Sequence, residues 1–144
     1  MIEQDTVKLL RECDAGIRMG TDSIQSVLPK VKNEKMERIL RDSLAEHERL
    51  AKKIEGALER FGDDGKEPNP IALSMSKMKT GVSLAVEEKD ETVASLMTDG
   101  CNMGVKSLSR YLNEYAAADE ESKDIAKKLI SMEESLAVAL RAYL

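Results

Sequence analysis

The chain is predicted to fold as an all-α domain: four long helices in a bundle, with one long crossover between the second and the third. Three observations carry that expectation. Apolar residues recur at alternating steps of three and four through four stretches of about 25 residues, the spacing that keeps one side of a helix facing a partner. The connections between those stretches run short, long, short. The composition is 42% hydrophobic and 34% charged, with three tyrosines, one phenylalanine and no tryptophan, which describes an aliphatic, methionine-rich core rather than a sheet. At 144 residues, one domain with a single sizeable core is expected.

The first helix is expected over Gln4 to Leu28, with Leu10, Cys13, Asp14, Ile17, Gly20, Thr21, Ile24, Val27 and Leu28 on a broad inner face. Gly16 and Gly20 leave bare backbone where another helix can approach. Pro29 stops this helix and Asn33 caps the next, so the two form an antiparallel hairpin. The second helix carries the longest pattern, Met36, Leu40, Ser43, His47, Leu50, Ile54, Ala57 and Phe61, and ends near Gly62. It also places the only histidine of the chain mid-helix on the inward side.

After a loop over residues 63–68, Asn69 and Pro70 open a shorter amphipathic helix to about Leu84, with Ile71, Met75, Met78 and Val82 on one side. The third helix, Asp90 to Tyr115, has two adjoining apolar stripes. One is Ala94, Met97, Cys101, Val105, Leu108, Leu112 and Tyr115; the other is Val93, Leu96, Gly100, Gly104 and Tyr111. The fourth runs from the cap Asp119 to Tyr143 with Ile125, Leu129, Met132, Leu136, Leu140 and Tyr143 inward. Two hairpins joined by a connection long enough to return the chain to the other end have the connectivity of ferritin-like bundles.

Three stretches, CDAGIRMG at Cys13 to Gly20, EPNPIALSMSKMKT at Glu67 to Thr80 and LMTDGCNMGVKSLSRYLNEY at Leu96 to Tyr115, resemble a bacterial ferritin-like domain family of unknown function. The resemblance spans nearly the whole chain and implies the fold. Di-iron proteins of ferritin-like type place a glutamate on two helices and Glu-x-x-His on the other two. Here the second helix offers Leu44-x-x-His47 and the fourth Glu133-x-x-Leu136, each half of the motif, and the bridging carboxylates are missing.

Register locates the polar residues. A hairpin turning symmetrically near Lys30 sets Asp14 level with His47, and one turning near Ala117 sets Cys101 and Asn102 level with Glu134 and Glu133. The expectation is a His47 ring nitrogen bonded to the Asp14 carboxylate, directly or through one water or metal. The alternative is a single iron, manganese or zinc ion held by Asp14, His47 and Glu133, since one imidazole and two carboxylates suit those metals. No catalytic or cofactor-binding residue is assigned, because no nucleophile with an adjacent base and no phosphate loop is present. Cys13 and Cys101 read as small buried apolar residues.

A net charge of −5, from 27 acidic and 22 basic residues mixed along the helices, lacks the basic footprint of a nucleic-acid binder. The acidic start MIEQDTVK and the absence of a long apolar run predict a cytoplasmic protein without a membrane span. A non-enzymatic bundle is expected, acting through oligomerisation, a dimer foremost, or through contact with a protein partner. The surplus apolar surface on the third helix motivates that expectation. Met75, Met78, Met97 and Met103 together are an alternative adaptable groove.

Overall fold

The computed structural model describes residues 2–63, 65 and 89–144. Among them are four α-helices and no strand: α1 Ile2–Val27, α2 Glu34–Glu59, α3 Asp90–Glu114 and α4 Glu120–Leu140. Short 3-10 turns follow α1 at Leu28–Lys30 and α4 at Arg141–Tyr143. The short helix expected over Pro70 to Leu84 lies outside the described residues. Among the described residues no helix is long and apolar enough to cross a membrane.

Local chemistry marks several of the helix ends. Pro29 falls within the 3-10 turn that ends α1. Asn33 caps α2, its side-chain oxygen accepting from the backbone N–H of Lys35 and Met36 at 2.9 and 3.0 Å. Asp119 caps α4 by accepting from Ser122 at 2.8 Å. At the far end of α2, Gly62 takes a φ of 66°. Its N–H donates to Glu59, while that of Asp63 donates to Leu58, the paired bonds of a glycine-closed helix end. This closure turns the chain before Phe61 can join the inner stripe, so Phe61 is 37% exposed and Leu58 is buried in its place. Tyr143, in the 3-10 turn after α4, is half-buried rather than fully inward.

Helix α1 packs on α2 and α3 on α4; α4 also packs on α1 and α2, and α1 on α3. The bare backbone of α1 meets α4: a Cβ added at Gly16 would lie 3.7 Å from Leu129. Side chains at the helix starts tie the ends of the bundle. The Asp90 carboxylate, at the start of α3, accepts from Lys32 and Asn33 N–H at 2.8 and 2.9 Å, gripping the α1–α2 connection. At the opposite end Asp5 and Thr6 of α1 accept from Ala117 and Asp119 N–H at 3.0 and 2.8 Å, gripping the α3–α4 connection.

The core falls into two apolar halves. One gathers Leu9, Leu10, Cys13, Ile17, Leu50, Ile54, Leu108 and Leu129 among others. The other gathers Ile24, Val27, Met36, Leu40, Val93, Met97, Cys101 and Leu136. Leu9 and Thr6 extend the buried face of α1 beyond the residues that periodicity marks. Asp90→Ala removes the acceptor of two backbone N–H groups and is expected to lower stability by about 1 to 3 kcal/mol. Urea denaturation measures this, with exposed Asp124→Ala expected to stay within about 0.5 kcal/mol of the parent protein.

Candidate functional site

Between the two apolar halves lies a polar layer to which all four helices contribute. His47 comes from α2 and Glu133 from α4, at 0% and 8% exposure, and Cys101 from α3 at 2%. Nε2 of His47 lies 3.1 Å from Oε1 of Glu133. Nδ1 lies 2.7 Å from the Ser43 carbonyl oxygen one turn earlier, with the Ser43 hydroxyl at 3.4 Å. Cys101 hydrogen-bonds the same Glu133 carboxylate.

Helices α1 and α3 make room by having no side chain there. A Cβ at Gly20 would sit 3.0 Å from both Cδ2 and Nε2 of His47 and 3.5 Å from Glu133, and one at Gly104 would lie 3.6 Å from the Glu133 carboxylate. Bulky polar groups on α2 and α4 therefore face bare backbone on α1 and α3.

Asp14 is not the partner of His47. It is buried as expected, at 2%, but its carboxylate pairs with Arg18 at 3.1 Å. A Cβ on Gly65, which holds a φ of 92°, would collide with it. The reason is side-chain direction: each Cα–Cβ bond tilts toward its own helix N-terminus, so in antiparallel helices residues at one level lean apart. His47 leans toward the α1–α2 connection and reaches Gly20. Asp14 leans the other way, toward the chain that follows α2. The set Asp14, His47 and Glu133 is therefore not assembled: His47 and Glu133 meet, and Asp14 lies apart. Among the described residues no three or more His, Cys, Asp or Glu side chains converge as metal ligands.

The surroundings dictate protonation. Burial lowers the His47 pKa, but hydrogen bonds to Glu133 and Ser43 and the charges of Glu133 and Glu46 outweigh it and raise the value above the ordinary one. Burial pushes the Cys101 thiol up, reinforced by the charge and hydrogen bond of Glu133. Burial likewise pushes Cys13 up to about 12, with Glu12 and Asp14 adding to it. Neither thiol is set up as a nucleophile, because both are held protonated. A surface groove of about 620 Å³ runs between α1 and α2, lined by Arg18, Asp22, Glu48, Arg49, Lys52 and Glu55 among others, and includes none of the layer residues. Met97 is buried and Met103 is 71% exposed, while Met75 and Met78 lie outside the described residues.

The chain matches no protein-family model, no curated protein and no solved structure. Register arithmetic on the second hairpin brought Cys101 near Glu133, but the role of that thiol as a donor was hidden by its apolar spacing. The signal for the His47 seat lay in Gly20 and Gly104, which interrupt two inner faces at one level.

Two contrasts test this geometry. Gly56 on α2 has open space for a Cβ, so Gly56→Ala is expected to stabilise by about 0.5 to 1 kcal/mol through helix propensity. Gly20→Ala should lose that gain and destabilise, because the His47 ring it meets is held at both nitrogens; thermal unfolding of both variants decides. In NMR spectra, Asp14→Asn is expected to leave the His47 imidazole resonances in place, whereas Glu133→Gln shifts them.

Proposed function

We propose that this protein is a non-enzymatic helical bundle of ferritin-like connectivity, working in the cytoplasm through association with a second copy of itself. The observation that carries the reading is the closure of the polar layer: its only histidine is 0% exposed and has both ring nitrogens engaged inside the bundle. A substrate has no route to that imidazole without parting the helices.

The end contacts support the connectivity. Asp90 grips Lys32 and Asn33, while Thr6, Asp119, Arg60 and Glu121 meet at the opposite end. These contacts support α1 and α4 running one way and α2 and α3 the other, the directions that ferritin-like connectivity calls for. Self-association is supported by α3. Leu96 is half-buried, Gly100 has open space around it and Met103 is 71% exposed. Their spacing of four and three puts them on one side of the helix.

Light scattering over a concentration series is expected to give a dimer, shifted toward monomer by Met103→Glu. A strict monomer at high concentration would overturn the association. Elemental analysis of protein purified without added metal is the second check. Near-stoichiometric iron, manganese or zinc, lost in His47→Ala, would overturn the non-enzymatic reading in favour of a metal-binding one.

A further inference from the structure

The two partners of His47 make different demands on its ring. A backbone carbonyl can only accept, so the 2.7 Å contact with Ser43 keeps a proton on Nδ1. Nε2 then faces Glu133 at 3.1 Å, and a bond there needs a second proton, held as imidazolium with carboxylate or as neutral imidazole with carboxylic acid. We propose that this layer is a proton-operated latch: with the shared proton it ties α2 to α4 through the middle of the bundle, and without it the contact becomes repulsive and the helices part at that level.

Among the described residues, the groups facing the pair offer it no other cation. From α3 the Cys101 thiol donates to Glu133 as a neutral group, and Gly104 offers backbone only. From α1 comes Gly20, again without a side chain. On α2 the neighbouring Glu46 adds negative charge. Among the described residues, His47 is the one cation in ion-pair contact with Glu133. Losing the proton therefore leaves a buried carboxylate against an imidazole lone pair, where weak solvent screening magnifies the repulsion. Moving the Nδ1 proton to Nε2 would restore that bond at the expense of the one to Ser43.

The direction of the response follows from linkage. The folded protein holds the proton more tightly than the unfolded chain, whose histidine titrates near about 6.5. The stabilisation is complete below about pH 6.5 and is lost as pH rises through the higher, folded value of His47.

The chain has one histidine, so its imidazole gives isolated NMR signals, and its two cysteines report opening. The folded imidazole is expected to titrate above about 6.5. Over the same window the unfolding equilibrium constant should rise by up to about tenfold per pH unit. Labelling of Cys101 by a water-soluble thiol reagent should accelerate relative to Cys13, which is buried in the other half of the core and serves as the internal control. In Glu133→Gln the side-chain amide donates to Nε2 with no titrating proton, so the imidazole value falls and the labelling ratio stays flat across that window. Titration at or below about 6.5 in the folded protein would overturn the latch. So would a constant Cys101 to Cys13 ratio, or a tautomer exchange in place with the Ser43 hydroxyl donating to Nδ1. Should Glu133→Gln fail to fold, the titration and labelling of the unaltered protein decide.

Discussion

One buried hydrogen bond, from His47 to Glu133, sets conditions that the rest of the bundle meets. Two long polar side chains cannot be seated mid-core unless the facing helices give up volume, and Gly20 and Gly104 do so. They cannot stay there unless every polar atom is bonded, and Ser43 and Cys101 supply the remaining partners. Among the described residues no buried side-chain nitrogen or oxygen lacks a partner. The apolar core is split in two because this layer runs through it. Such a pair adds little net stability over a hydrophobic filling, but breaking it by removing one partner is costly, so it favours one helix register over others.

The ends of the bundle obey a matching logic. Acidic and hydroxyl side chains at the starts of α1 and α3 accept from backbone N–H groups of the connection at their own end of the bundle. Those N–H groups would otherwise have to find solvent, so the connections are held to the bundle rather than draped over it. The polar layer fixes the middle of the helices and these grips fix both ends, which leaves little freedom for one helix to slide along another.

The imidazole and both thiols of this protein are buried. Both thiols are held protonated by burial, and the imidazole is committed to bonds within the fold. Among the described residues, the large apolar side chains that face solvent include Met103 and Val138.

The periodicity of the sequence determined that the four described segments are helical, where each of them runs to within a few residues, and that Asn33 and Asp119 cap two of them. These are local properties, settled by side-chain spacing and by the first backbone groups of a helix turn. It also determined that His47, Asp14 and Cys101 face inward and that Glu133, set level with Asn102, stands within one residue of the level of Cys101. Only the tertiary structure decided which of them touch. Level in the bundle does not settle contact between antiparallel helices, because side chains lean toward opposite ends: Asp14 went to Arg18, and His47 crossed to Glu133 and the backbone of Gly20. Leu58 displaced Phe61 for a similar reason, since the left-handed glycine closing α2 turns the chain before the inner stripe is complete. A glycine in a helical pattern is silent in sequence about whether its missing side chain serves a turn, a neighbouring helix or a buried ring. That answer exists only when the helices are packed.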